Sequence, residues 1–116
     1  MDLLTIEKLR EYGAKTDEGL ARCINNEAFY FRMVGLAVKD AGFAKLEEAM
    51  KAGDQDAAFA AAHALKGVLG NLALEPMYRP ASELTELLRN KTPAGCDALL
   101  QEILEQRAKL EAMIAD

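Results

Sequence analysis

Along this chain apolar residues recur every three or four positions, the spacing of an amphipathic helix, and no stretch shows the strict alternation of a strand. The breakers are few: Gly13, Asn25-Asn26, Gly42, Gly53-Asp54, Pro76, Pro80, Pro93 and Gly95. Between them the pattern predicts a helix near 3–12, with Leu3, Leu4, Leu9 and Tyr12 on its apolar side, and a short helix near 17–24 with Thr16 as N-cap. Asn26 caps a helix running to about Asp40, and a bend at Asp40-Ala41-Gly42 leads into a further helical stretch over 40–52. Gly53 ends that stretch, and Asp54 caps the Ala- and Leu-rich segment 54–73. Pro76 opens a helix to about 90, a position where proline is tolerated, whereas Pro80 is awkward inside it and allows a start nearer 80. A last helix spans about 93–115. No linker, repeat or low-complexity tract interrupts the series. The expected fold is an all-α, antiparallel up-and-down four-helix bundle with one or two short additional N-terminal helices. At 116 residues the chain reads as one domain over 1–116, with its core bundle at about 26–115.

The 54–73 segment sorts sharply on a helical wheel. Ala58, Ala61, Leu65, Val68, Leu69 and Leu72 gather on one side as a core stripe. His63 lies opposite, among Asp56, Phe59, Ala60, Lys66, Gly67 and Gly70. An outer helix face normally carries charge and good helix formers. This one carries a phenylalanine and two glycines, and each glycine costs about 1 kcal/mol of helix propensity relative to alanine.

Composition narrows what that face can do. Apolar residues are 51% and charged residues 28%, an ordinary globular balance. There is one histidine, there are two cysteines (Cys23 and Cys96), and there is no tryptophan. A histidine-based metal cluster is excluded, and so is a disulfide framework; the cysteines read as small buried hydrophobes in a reducing compartment. Fourteen basic against nineteen acidic residues give a net charge of −5, a poor basis for nucleic-acid binding. The start of the chain lacks the pattern of a signal peptide, and no run approaches the length of a membrane span, so a cytoplasmic protein is expected.

All imidazole chemistry therefore has one address. Lys66 stands three residues beyond His63 and Gly67 four, one turn on. Neutral imidazole is a competent nucleophile near physiological pH, lysine binds phosphate as a point charge, and a glycine leaves the approach open. That set suits a phosphoryl group. A lone exposed histidine is more often an ordinary polar surface residue. The nucleophile, the cation and two unfavoured glycines on one face, opposite a clean core stripe, point to chemistry instead.

The run from Ala62 to Leu72, Ala-His-Ala-Leu-Lys-Gly-Val-Leu-Gly-Asn-Leu, resembles the signature of histidine-containing phosphotransfer (HPt) domains. Gly53-Asp54 upstream, the turn at Leu74, and Leu84 and Arg89 downstream match that family's layout, so the resemblance covers most of 16–114. It implies a bundle whose exposed histidine exchanges a phosphoryl group with the aspartate of a response-regulator receiver domain. His63 is then the phosphorylated nucleophile, Lys66 neutralises the phosphoryl oxygens, and Gly67 gives access. Phe59, Ala60 and Gly70 form the docking face, with Gly70 keeping it shallow. Many family members place a Gln or Glu from the next helix beside the histidine; here the aligned position is Thr85, flanked by Glu83 and Glu86 and limited to donating a hydroxyl.

The implied molecule is a phosphocarrier in a two-component phosphorelay, not an enzyme. It has no Gly-rich nucleotide loop, and the acidic residue that follows the histidine in kinase dimerisation domains is replaced by Ala64. Asp56 lies nearly two turns from His63, so no metal is expected on this chain; Mg²⁺ is expected in the partner receiver domain during transfer. Partners are a receiver domain or a hybrid sensor histidine kinase, not nucleic acid or membrane. A monomer is expected, since an oligomer burying this face would block the relay, and a stand-alone protein is slightly favoured. The alternative is a non-phosphorylated HPt-like module that only docks a receiver domain or kinase. A hydrolase using His63 as general base needs a concave pocket and an orienting acid, which a convex helix face does not offer.

Overall fold

The computed structural model describes residues 4–115. They form seven helices and, among the described residues, no strand. The first is α1 (Ile6–Tyr12), capped by Thr5, whose hydroxyl accepts from the Lys8 amide at 3.1 Å, and closed by Gly13 at φ 113°. The expected start near residue 3, with Leu3, lies outside the described residues. In α2 (Thr16–Arg22) the threonine is not the cap but the first helical residue; it is buried, and its Oγ1 accepts from Arg10 Nε at 3.1 Å. Asn26 caps α3 (Glu27–Ala37) by accepting from the Phe29 amide at 3.0 Å. That helix stops at Ala37, short of Asp40, whose Oδ1 accepts from the Gly42 amide at 2.7 Å and turns the chain into α4 (Gly42–Ala52). Gly53, at φ 72°, ends α4, and the Asp54 carboxylate accepts from the Ala57 amide at 3.1 Å to open α5 (Gln55–Asn71).

The chain then turns through Leu72, Ala73 and Leu74 into α6 (Glu75–Arg89) and ends in α7 (Cys96–Ala115). Pro80 sits inside α6, which nonetheless begins at Glu75. The ring is fully packed in the core side of the helix, and the hydrogen bond it removes lies within the first two turns.

Short connections force α4, α5, α6 and α7 to run antiparallel in sequence. The ring of α7 back to α4 is closed by Arg107: its guanidinium lies 4.5 Å from the Phe43 ring centroid and its Nε donates to the Val38 carbonyl at 2.7 Å. Phe43, Leu46, Leu65, Leu69, Met77, Leu84, Ile103 and Leu110 are essentially inaccessible and fill the space between the four helices. Burying each such side chain stabilises the fold by about 1.5–3 kcal/mol relative to exposing it.

Helices α1, α2 and α3 precede α4 in the chain. Those three cover the end of the bundle that carries the α5–α6 turn. Tyr30 donates its hydroxyl to the Leu72 carbonyl at 2.9 Å, the Lys15 amide donates to the Ala73 carbonyl at 2.9 Å, and Tyr12 donates to the Gln106 carbonyl at 3.2 Å. One contiguous apolar core runs from Leu4 in the N-terminal segment to Leu110 in α7.

Candidate functional site

Helix α5 is flanked on both sides, by α4 and by α6, and that sets which of its residues see water. Ala58, Ala62, Leu65 and Leu69 are buried, and so is Leu72 just beyond its end. Ala61 and Val68, expected in the core stripe, are only half-buried, and Ala62 takes the central place beside the histidine. His63 stands at the middle of the helix on the side that neither neighbour covers, and it is exposed.

The other outward residues divide. Gly67 is exposed, and a Cβ there would meet nothing within 4 Å. Gly70 is different: its Cβ would lie 2.8 Å from Cε1 of Tyr78 on α6, so this glycine seats an aromatic ring against the helix backbone. Gly70 keeps the surface low by admitting Tyr78 rather than by leaving it bare. Lys66 is half-buried and lies near enough to Glu86 on α6 to favour its ionised form. Ala60 is exposed on the flank toward α4, where it lines a shallow depression with Ala57, Ala61 and Ala64.

Phe59 is half-buried and reaches both the core and the histidine. Its ring lies nearly parallel to the imidazole, with centroids 5.8 Å apart and 14° between planes. The Arg89 guanidinium sits 5.0 Å from the Phe59 centroid, and Arg89 Nε donates to Glu86 Oε2 at 2.9 Å. That hydrogen bond, with the charge behind it, holds the Glu86 carboxyl below its ordinary range.

Thr85 does not act as the second-helix neighbour of the imidazole. Gly70 meets Tyr78 at one end of the α5–α6 contact and Phe59 meets Arg89 at the other. Equal steps along the two helices from these contacts bring His63 opposite Thr85. The Thr85 side chain, however, is fully buried and donates its hydroxyl to the Ala81 carbonyl at 2.7 Å. Glu83 is also engaged elsewhere, paired with Arg79 at 3.1 Å. Among the described residues none hydrogen-bonds the imidazole.

Nor is the face simply convex. A groove of about 480 Å³ opens beside His63, lined by Lys66, Gly67 and Gly70 of α5, Tyr78 of α6, and Arg22 of α2. Arg22 donates from Nη1 to the Gly70 carbonyl in the last turn of α5, a favourable place for a cation. Sequence reasoning did not reach Arg22 or Tyr78. No local pattern links Arg22 to a glycine 48 residues away, although a glycine inside a strong helix is itself a signal of close approach. Glu18 and Glu75 also line the groove, but among the described residues no group of three or more His, Cys, Asp or Glu side chains is placed to hold a metal ion.

The sequence model of one protein family, described as Hpt domain, matches residues 40–116, well over half of the chain and all four bundle helices. No curated protein and no solved structure matches the chain.

Proposed function

We propose, proceeding from the fact that this chain belongs to the Hpt domain family, that it is a phosphorelay intermediate whose phosphoryl-carrying residue is His63. Hpt domains are phosphocarrier modules of two-component signalling that work with receiver domains and kinases. The observation that supports His63 is its position: an exposed imidazole at the centre of α5, with Lys66 one turn on and open space at Gly67.

Transfer to the carrier forms a bond between an imidazole nitrogen and phosphorus and breaks the acyl phosphate P–O bond, and the aspartate departs as carboxylate. The return step reverses both. Such transfers depend on in-line geometry and on neutralising the equatorial oxygens. Lys66 supplies charge, and Gly67 leaves room for the phosphoryl group and for the partner's approach. Phe59, Ala60 and the Gly70–Tyr78 surface form the docking face around them. Mg²⁺ belongs to the receiver partner, and this chain carries no cofactor. It is a cytoplasmic monomer without autokinase activity. Among the described residues no helix is long and apolar enough to cross a membrane.

Incubation with a phosphorylated receiver domain should leave acid-labile, alkali-stable label on the wild type and none on His63→Gln. Label that persists in His63→Gln, or its absence from the wild type across a broad panel of receivers, overturns the reading. In the second case a wild type that still binds receivers is a docking module only.

A further inference from the structure

We propose that Phe59 is the positioning residue of the His63 imidazole, doing by ring stacking what a hydrogen bond from α6 would otherwise do; this rests on the phosphotransfer reading of His63. A nucleophilic imidazole must present one nitrogen in line with the bond that breaks, and a misplaced ring loses rate steeply. Histidines that work chemically are usually oriented through a hydrogen bond at the other nitrogen. Here the residue level with His63 on α6 is Thr85, whose hydroxyl is committed to the Ala81 carbonyl at 2.7 Å. No group among the described residues hydrogen-bonds the imidazole, and what the chain itself sets against it is the Phe59 ring.

Phe59 supplies that packing from one turn earlier on the same helix. The centroid separation of 5.8 Å and the 14° interplanar angle fall in the range of offset stacked rings. A stack of this kind covers one face of the imidazole and restricts its torsions. The residue as a whole stays exposed, which leaves phosphorus an approach to the ring nitrogens.

A loose phenylalanine would position nothing, but this one is held. Its inner side packs on the hydrophobic core. The Arg89 guanidinium lies over its ring at 5.0 Å, a cation–π contact. Arg89 is in turn anchored by its 2.9 Å bond to Glu86. The same bond and the Arg89 charge hold the Glu86 carboxyl below its ordinary range. Glu86, Arg89, Phe59 and His63 thus form a chain of contacts that starts on α6 and ends at the nucleophile. Phe59 also explains an oddity of the sequence, an aromatic residue on the outer side of the helix that carries the only histidine.

The test compares Phe59→Leu, which keeps apolar volume and loses the ring, with Phe59→Tyr, which keeps the ring. Phosphoramidate is the donor, because it needs no docking surface: its P–N bond breaks, ammonia leaves, and the phosphoryl group passes to the imidazole. In the wild type the His63 ring protons should resonate upfield of those of a solvated histidine. Phe59→Leu should abolish that displacement and slow phosphorylation by about tenfold, as expected for a nucleophile released from its working orientation. Phe59→Tyr should restore both, with melting temperatures matched among the three. If Phe59→Leu lowers the melting temperature, Phe59→Met, which fills the same space without a ring, carries the comparison. Wild-type ring shifts, or a wild-type rate, in the ringless variant overturn the proposal. Failure of the phosphotransfer reading looks different: the wild type would accept no label, while the ring shifts would still report whether the stack exists.

Discussion

Two glycines three residues apart on α5 look equivalent in the sequence and do opposite things. At Gly67 a methyl group would enter open space, so Gly67→Ala should stabilise the helix by about 1 kcal/mol through propensity alone. On the proposed function the same change, and more so a bulkier one, should slow receiver-dependent transfer. At Gly70 a methyl group would press on the Tyr78 ring at 2.8 Å. Gly70→Ala should therefore lose about 1 kcal/mol net, the strain exceeding the gain in propensity. Urea unfolding of both variants checks the pair, and the loss at Gly70 should vanish in a Tyr78→Ala background, as a double-mutant cycle would show. Equal signs for the two glycines would contradict this division. The wheel placed both on the outer face correctly but had no means to see a ring arriving from α6. Thr85 is the opposite case. Its place among Ala81, Leu84 and Leu88, at spacings of three and four, already puts it in the apolar stripe of α6, so its burial was legible in the sequence.

At the level of elements, caps and breakers located most boundaries, because each is a local backbone problem with a local solution. Asn26 and Asp54 each satisfy an amide at the start of their helix, and Gly13 and Gly53 close theirs in the left-handed region. Thr16 broke the rule because Arg10 claims its hydroxyl and the core claims its side chain. How α3 docks was not legible. Tyr30 passes over Gly19 of α2 to reach the Leu72 carbonyl, and a Cβ at Gly19 would lie 2.5 Å from the phenol. Gly19→Ala should displace Tyr30, break that bond, and cost about 2–3 kcal/mol. Thermal unfolding reads the loss, and hydrogen exchange should show it concentrated in α2, α3 and the 72–74 turn. A uniform loss, or none, would mean that α3 is not held through Tyr30.

For the molecule as a whole, the N-terminal helices matter as a cover for one end of the bundle, and pH should report on that cover. Burial pushes the Tyr30 phenol from its ordinary 10.0 up to about 12, with the charge of Cys23 adding to the rise. A group whose pKa is raised by folding gives its full contribution below its unfolded pKa and loses it as pH climbs toward the folded value. Wild-type stability should thus fall between pH of about 10 and 12. Tyr30→Phe should cost about 1 kcal/mol at pH 8 through the lost hydrogen bond. That gap to the wild type should narrow above pH 10, because the variant has no phenol to ionise on unfolding. Tyr12, whose phenol burial also raises, titrates alike in both proteins. Denaturant midpoints at several pH values decide the matter, and a gap independent of pH would remove Tyr30 from the alkaline transition.

The sequence by itself determined the helical class, most helix ends, the solvent side of α5, and the run from Ala62 to Leu72 that carries the family resemblance. All of these follow from spacing and capping within a turn or two, where chain connectivity fixes which groups meet. Only the tertiary structure decided that Tyr78 lies on Gly70, that Arg22 reaches the Gly70 carbonyl, and that Arg89 lies over Phe59. Those contacts join residues on different helices, and their existence depends on how the helices are rotated and set in height against one another. Packing of the whole core fixes that rotation, and no single segment carries it.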